Sequence, residues 1–267
     1  MRKILAMLLA VILTSSMMVT TQTPADLDEV RKASCQILLG FEFETNVLPM
    51  IVNGKKMSIK HQRTWEAGGS GIIVGRNLTN DKKKPKWIYW IMTAKHLFPS
   101  DYKNAVESAL WIYFFSHEGY AAPVIRGGSK IWVSPTGLDV AFVGFYTSED
   151  LPMVSVIRDL PRNLYGVKYV AIGHPYLHTP FIREGRFSCN NPDAEFGPGQ
   201  IGCNSFASGM SGGGVLIMKD NRLQLAAIIT AWLGREDGAE RFGIATRIDG
   251  ILKLLKKYKK MKYVETK

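Results

Sequence analysis

Residues 207–214 read Ala-Ser-Gly-Met-Ser-Gly-Gly-Gly and place Ser211 among four glycines, directly before an apolar run. A serine in such a turn can present its hydroxyl to a carbonyl carbon. The backbone N–H groups of Gly209 and Ser211 can then form an oxyanion hole, which stabilises the oxygen that becomes negative. This pattern predicts acyl transfer with Ser211 as the nucleophile. A glycine-rich turn between two strands has the same composition, so this stretch alone leaves both interpretations open.

Two further residues could complete this chemistry. A serine nucleophile needs a base, and the base needs a carboxylate that fixes its tautomer. His96 follows an apolar stretch that begins at Trp87 and predicts a buried strand, and Asp139 lies within the apolar stretch 137–143. An unpaired carboxylate in a buried strand is costly, which predicts a partner for Asp139. We therefore expect His96 to act as the base and Asp139 to orient it.

The order of these residues along the chain excludes one alternative. The Gly-x-Ser-x-Gly pattern around Ser211 also fits the nucleophile elbow of α/β-hydrolases, in which the histidine follows the serine. All five histidines of this chain precede Ser211, at positions 61, 96, 117, 174 and 178. Two of the other four lie in polar stretches and two in a proline-containing turn, where we expect solvation or loop hydrogen bonds. Only His96 ends a strongly apolar strand.

Three motifs resemble those of a known family. Thr93-Ala94-Lys95-His96, Leu138-Asp139-Val140-Ala141 and Gly209-Met210-Ser211-Gly212-Gly213 are similar to the triad motifs of chymotrypsin-like serine endopeptidases, nearest to the HtrA/Deg-type bacterial branch. Residues 171–175 resemble that branch's Ile-Gly-Asn-Pro turn, and residues 242–245 its last core strand. The resemblance implies hydrolysis of a polypeptide through His96, Asp139 and Ser211, without a metal or other cofactor.

The elements that would position these residues are short apolar runs separated by turns, which are typical of an all-β protein. The resemblance implies two six-stranded antiparallel β-barrels, the chymotrypsin-like double barrel, with a C-terminal helix. We expect an N-terminal barrel over residues 24–147 that carries His96 and Asp139. A second barrel over residues 148–250 carries Ser211, and residues 251–267 form the helix and a basic tail. No segment long enough for a PDZ domain follows, unlike full-length HtrA proteins.

The N-terminal residues predict export. Arg2 and Lys3 precede an unbroken apolar run from Ile4 to Leu13, which is short for a membrane span. We interpret residues 1–23 as a signal peptide and expect a periplasmic or secreted protein. An uncleaved anchor that continues through residues 17–19 is the alternative.

Export also bears on the three cysteines, because an oxidising compartment allows disulfides. Cys189 and Cys203 bracket a loop rich in Gly, Pro and Asn, and we predict that they form a disulfide closing it. Cys35 would remain as a buried thiol. No Cys/His spacing in the chain is typical of a metal site.

The resemblance also bears on specificity and activation. Aligned on Ser211, the base of the primary pocket falls near Ser205, which is not acidic, so a preference for Arg or Lys is disfavoured. Thr230-Ala231-Trp232 should pair with the substrate backbone, with Trp232 narrowing the pocket toward small or medium apolar side chains. Zymogen-activated trypsins carry an aspartate before the serine. Met210 stands there in this chain, so we predict no activation switch of that type.

The charge of the chain is unevenly distributed. The net charge is +11, and from Lys253 onward there are seven lysines and one acid. This tail could be a solvated helix face or could contact an anionic membrane surface. A catalytically silent module that binds a protein or an anionic surface is therefore the alternative function. We expect no nucleic-acid partner. HtrA relatives are commonly trimers, so self-association is implied, although the sequence identifies no trimer face.

Overall fold

The computed structural model describes residues 24–46, 50–52, 55–57, 60–79, 85–116, 119–121, 130–177, 179–188, 200–203, 206–234, 241–257 and 264–265. In these ranges the chain forms two large antiparallel sheets and a small hairpin, with an α-helix at each end. None of the helices in these ranges combines the length and apolar character needed to cross a bilayer. The expected all-β fold with a C-terminal helix is confirmed. The predicted signal peptide lies outside the described residues.

The first sheet contains six strands of four or more residues and two shorter ones. Helix α1 (Pro24–Ala33) leads into it. Its strands are β1 (Ser34–Asn46), β4 (Lys60–Leu78), β5 (Trp87–Thr93), β6 (Glu107–Ser116), β7 (Gly119–Ala121), β8 (Lys130–Val133), β9 (Ala141–Thr147) and β16 (Val264–Glu265). They are arranged in the order β16-β8-β9-β5-β4-β1-β6-β7. Two short strands, β2 (Met50–Val52) and β3 (Lys55–Met57), pair only with each other.

The second sheet has six strands, as expected. They are β10 (Lys168–Gly173), β11 (Phe181–Arg186), β12 (Gln200–Cys203), β13 (Gly214–Lys219), β14 (Arg222–Gly234) and β15 (Arg241–Arg247). Their order is β11-β10-β13-β14-β15-β12. Helix α2 (Ile248–Lys257) follows β15 directly and buries Ile248, Ile251 and Leu254. The first sheet departs from six strands only because β7 and β16 extend its two ends.

Strand β5 lies in the middle of the first sheet, between β4 and β9. Its apolar run fills the core on both faces, since Tyr89, Ile91 and Met92 are all buried. The Tyr89 ring stacks on Phe145 of β9 with 5.8 Å between ring centroids. Because β5 is paired on both edges and packed on both faces, its backbone has little conformational freedom. The position of Thr93, from which the next residues continue, is therefore fixed.

The segment between β9 and β10 joins the two sheets through backbone hydrogen bonds. The N–H of Val154 donates to the Ile73 carbonyl of β4 at 2.9 Å. Three residues later, the N–H of Ile157 donates to the Leu225 carbonyl of β14 at 3.1 Å. The connection therefore fixes the two sheets relative to each other, which matters because the predicted site draws residues from both.

No disulfide between Cys189 and Cys203 is found in the described part of the chain, so this pairing stays a prediction. Cys203 is a buried thiol on β12, with its Sγ 4.0 Å from the Ile201 carbonyl oxygen. Its side chain faces the core, where a cysteine behaves as a small apolar residue. Cys189 lies outside the described residues. The other prediction is correct: Cys35 is a buried thiol, and burial raises its pKa.

An ion pair at the start of α2 anchors the helix to the junction between the sheets. The Arg247 guanidinium contacts the Asp249 carboxylate at 3.1 and 3.3 Å and also donates to the carbonyls of Pro161 and Arg162. Burial alone would raise the pKa of Asp249. The hydrogen bonds and charge of Arg247 outweigh that effect and hold this pKa below its usual value.

We expect Asp249→Asn to lower the melting temperature at pH 7 and to have a smaller effect in acid. A carboxyl with a lowered folded-state pKa contributes stability that is present above the unfolded-state pKa and disappears as pH falls through the folded-state pKa. Thermal unfolding followed between pH 7 and pH 3 measures this difference. Asp159→Asn on the exposed surface is the matched control. A pH-independent difference between wild type and Asp249→Asn would contradict the assignment.

Candidate active site

The ends of two neighbouring strands bring His96 and Asp139 together. Thr93, the last residue of β5, pairs with Ala141, the first residue of β9. The residues just after Thr93 and just before Ala141 must therefore be close in space, and one 3₁₀ turn over residues 95–97 places His96 there. His96 Nδ1 lies 2.7 Å from Asp139 Oδ2. The backbone N–H of His96 donates to Asp139 Oδ1 at 2.9 Å, so both carboxylate oxygens are engaged.

The loop that carries Asp139 is tied down on both sides. The N–H of Val140 donates to the Leu138 carbonyl at 3.0 Å, a γ-turn centred on Asp139. The Lys95 ammonium donates to the Thr136 carbonyl at 2.8 Å and so links the loop to the turn that carries His96. The Asp139 side chain is 21% exposed and that of His96 44%. The carboxylate is thus the shielded partner, and the imidazole is open to solvent.

The turn before Ser211 has a defined geometry. The N–H of Met210 donates to the Ala207 carbonyl at 3.2 Å, and Gly209 has φ of +86°. A positive φ at the third residue is typical of a type II turn and explains the glycine. The Ser208 carbonyl accepts the N–H of Tyr176 at 2.8 Å. Because the peptide bond is trans, the N–H of Gly209 points away from Tyr176.

Both sheets hold the backbone around Ser211. The Ser211 carbonyl accepts the N–H of Ser70 on β4 at 2.7 Å. The N–H of Gly212 donates to the Ile229 carbonyl on β14 at 2.7 Å. Gly212 has φ of +88°, and a Cβ there would overlap the Ser70 carbonyl oxygen and Thr93 Oγ1. Only glycine allows this approach, which brings the turn to the end of β5, three residues before His96.

The structure therefore collects the three predicted residues at one junction, with two of them in direct contact. His96 and Asp139 are hydrogen-bonded through the carboxylate. Within the described part of the chain, no hydrogen bond joins His96 to the Ser211 hydroxyl. Catalytic hydrogen bonds of this kind often form only when substrate binds.

The predicted substrate-binding residues are only partly described. Thr230 is buried and its hydroxyl donates to the Ile244 carbonyl at 3.2 Å, in an irregularity of the β14–β15 register. Ala231 and Trp232 continue β14, paired with Ile244 and Gly243 on one edge. On the other edge β13 ends its pairing at Ile228, and among the described residues no strand accompanies β14 beyond Ile229. The side chain of Trp232 and all of Ser205 lie outside the described part.

Three buried polar residues that were not predicted as site residues hold the turn of residues 207–212, which we call the serine turn. Ser70, Thr93 and His174 are all buried. Thr93 Oγ1 donates to the Ser70 carbonyl at 2.7 Å, and the N–H of His174 donates to Ser70 Oγ at 2.7 Å. The available signal was Gly68-Gly69-Ser70-Gly71, since small residues in a strand often mark a close approach by another backbone.

Met210, directly before Ser211, is an apolar residue in an apolar place. Its side chain is 1% exposed. Met210 packs closely against the end of β10. A Cβ added to Gly173 would lie only 3.1 Å from the Cβ of Met210. No charged partner is needed at this position, which agrees with the expectation drawn from the sequence that this residue cannot form a trypsin-type ion pair.

We expect Met210→Asp to destabilise the fold by about 3–5 kcal/mol, because an uncompensated charge would be buried there. Urea unfolding at pH 7 measures the free energy of unfolding. Met153→Asp is the matched control, since Met153 is 41% exposed. An equal effect of the two substitutions would show that Met210 does not occupy a closed apolar site.

Comparison with known proteins agrees with this geometry. Residues 69–224, more than half of the chain, match the trypsin-like peptidase domain. The comparison with curated proteins gave no match.

Two solved structures share the fold. The HtrA-type protease AlgW with a decapeptide is similar with a TM-score of 0.56 at 17% identity, over 87% of this chain and 66% of that chain. A variant of AlgW with a decapeptide gives a TM-score of 0.58 at 16% identity, over 88% and 65%. This chain thus spans just under two thirds of the length of those relatives. The chymotrypsin-like fold predicted from the sequence is confirmed, and the chain belongs to the trypsin-like peptidase domain family.

Proposed function

We propose that the protein is a serine endopeptidase that cleaves peptide bonds through His96, Asp139 and Ser211. The observation that carries this proposal is the two-point contact between His96 and the Asp139 carboxylate at 2.7 and 2.9 Å. A carboxylate that accepts from both the ring and the backbone of one histidine fixes that histidine's orientation. The imidazole edge that bears Nε2 then has a defined direction, as a general base requires.

In the proposed mechanism, Asp139 holds the proton on His96 Nδ1, which leaves the Nε2 lone pair available. His96 takes the Ser211 proton as the hydroxyl attacks the peptide carbonyl, and Asp139 stabilises the imidazolium that forms. The same proton passes to the leaving amine as the acyl-enzyme forms. Water then attacks the acyl-enzyme carbonyl, with His96 again acting as the base, and the second product is released from Ser211. The mechanism requires the Ser211 hydroxyl to lie within hydrogen-bond distance of His96 Nε2 when substrate is bound.

The proposed oxyanion hole consists of the N–H groups of Gly209 and Ser211. Its support is the Ser208 carbonyl, which faces Tyr176 and so turns the N–H of Gly209 to the other side of the peptide. The peptide that carries the N–H of Ser211 is held in the same manner, because the Met210 carbonyl accepts the N–H of Gly213 at 2.8 Å. One such donor contributes about 10²–10³-fold to kcat.

We infer a polypeptide substrate that adds to the edge of β14. The pairing of β13 with this edge ends at Ile228 and Ile229, and β14 continues through Ala231 and Trp232, beside which an extended chain could add as a further strand. A similar fold in AlgW was solved with a decapeptide, which agrees with this inference. With no acid at Ser205 and Trp232 on the edge strand, the pocket would favour small or medium apolar side chains.

We further propose that the protein acts outside the cytoplasm and near an anionic surface. The support for export is the N-terminal sequence alone. On α2, Lys253, Lys256 and Lys257 are exposed on the face opposite the buried residues. These lysines belong to the basic tail, and each lysine near an anionic lipid surface contributes about 1 kcal/mol. Self-association is part of this proposal only by analogy with HtrA proteins.

We expect Ser211→Ala and His96→Ala each to lower kcat/KM for an unfolded protein substrate by about 10⁴–10⁶-fold, and Asp139→Asn by about 10⁴-fold. Because the three groups act as a unit, the double variant Ser211→Ala/His96→Ala should lose little more than either single variant. Release of fluorescent peptides from labelled casein measures these rates. Ser155→Ala, at an exposed serine, is the control. Full activity in Ser211→Ala would exclude this function for the site.

Cleavage of a peptide library should show small or medium apolar residues before the cut bond. This expectation rests on the sequence, in which the alignment on Ser211 gives Ser205 and no acid at the base of the primary pocket, and Trp232 on the predicted edge strand. Sequencing the products by mass spectrometry gives the preference directly. Cleavage mainly after Arg or Lys would contradict the pocket assignment, while leaving the proposed chemistry intact.

A further inference from the structure

We propose that Ser70 is a positioning residue of this site, whose side-chain hydroxyl fixes the oxyanion hole. The inference rests on the proposed peptidase function and adds a residue that none of the sequence motifs indicated. Ser70 lies on β4 in the first sheet, while the turn that it holds belongs to the second half of the chain, 139 residues away. Because Ser70 is fixed within the first sheet, its hydrogen bonds would restrain the position of that turn.

The direction of the Ser70 hydroxyl proton follows from its two partners. Ser70 is fully buried, and its Oγ accepts the N–H of His174 at 2.7 Å. A hydroxyl has one proton to donate, and the structure directs it to the Gly209 carbonyl at 2.8 Å. The hydroxyl therefore bridges the end of β10 and the serine turn, with one bond in each direction.

The backbone of Ser70 holds the same turn at a second point. Its N–H donates to the Ser211 carbonyl at 2.7 Å, and its carbonyl accepts the Thr93 hydroxyl at 2.7 Å. Ser70 thus holds the peptide after Gly209 with its side chain and the peptide after Ser211 with its backbone. The backbone contact does not require a particular side chain, but the contact to Gly209 does.

The peptide after Gly209 is the one between the two peptides that carry the proposed oxyanion donors. The N–H of Gly209 lies in the peptide before it, and the N–H of Ser211 in the peptide after it. Gly209 has no Cβ, so its torsions could change at little steric cost if its carbonyl were released. The N–H end of this peptide is held by the turn bond from Met210 to the Ala207 carbonyl at 3.2 Å, and the shorter bond from Ser70 holds its carbonyl end. Together they limit this freedom, and the two donors keep one relative orientation before substrate arrives.

The test is the kinetics of Ser70→Ala. We expect kcat for a peptide substrate to fall by about 10- to 100-fold, since displaced donors stabilise the transition state less well. KM should change by less than about threefold, because the interaction is made only in the transition state. Ser34→Ala is the matched control. Ser34 is also a buried serine of the first sheet that donates to a carbonyl, that of Arg31 at 2.7 Å, and its hydroxyl bonds at the junction of α1 and β1 and not to the serine turn.

Rates are expressed per folded molecule, with the folded fraction taken from near-UV circular dichroism. If Ser70→Ala does not fold, Ser70→Cys replaces it, because a thiol fills the space but is a weak donor. An unchanged kcat in a folded Ser70→Ala or Ser70→Cys variant, or a loss confined to KM, overturns the proposal. Failure of the proposed function is a separate outcome, since it would appear as activity that survives Ser211→Ala.

Discussion

The close approach of the serine turn to the ends of β4 and β5 is the constraint on which the rest of the site depends. At Gly212 there is no room for a Cβ between the Ser70 carbonyl and the Thr93 hydroxyl. The turn is then fixed from both sides by backbone hydrogen bonds to Ser70 and Ile229. Backbone contacts of this kind are shorter and less variable than side-chain packing. They set the position of Ser211 relative to the strand end from which His96 extends.

The second constraint is electrostatic and is satisfied within the first sheet alone. Antiparallel pairing of β5 with β9 brings Thr93 opposite Ala141, and the His96–Asp139 contact follows from that register. The candidate site therefore has one half, the His96–Asp139 pair, within the first sheet, and the proposed nucleophile Ser211 belongs to the second half of the chain. Such a division explains why the connection between the sheets is held by bonds to both of them, at Ile73 and at Leu225.

Much of this arrangement could be predicted from the sequence, because apolar runs that end in polar residues mark strand ends. The strand before His96 follows from local residue types. The small residues at 68–71 could have indicated a close approach by another backbone, but the partner of Ser70 could not be predicted, since Gly209 is 139 residues away and local residue types do not identify it. The pairing of Cys203 with Cys189 stays a prediction, since Cys203 is buried on β12 and Cys189 lies outside the described residues. The two additional strands of the first sheet, β7 and β16, are short. They exist because they pair with a neighbouring strand, and their residue composition does not indicate them.

We propose that Ser211 is an activated nucleophile beside a formed oxyanion hole. This is tested most directly by labelling the folded wild-type protein with a fluorophosphonate and mapping the adduct by mass spectrometry of its peptides. We expect one phosphonyl group per chain, attached to Ser211, and no labelling of protein that was unfolded by heat beforehand. A folded protein that takes up no label, or that carries it on another serine, would show that Ser211 is not an activated nucleophile.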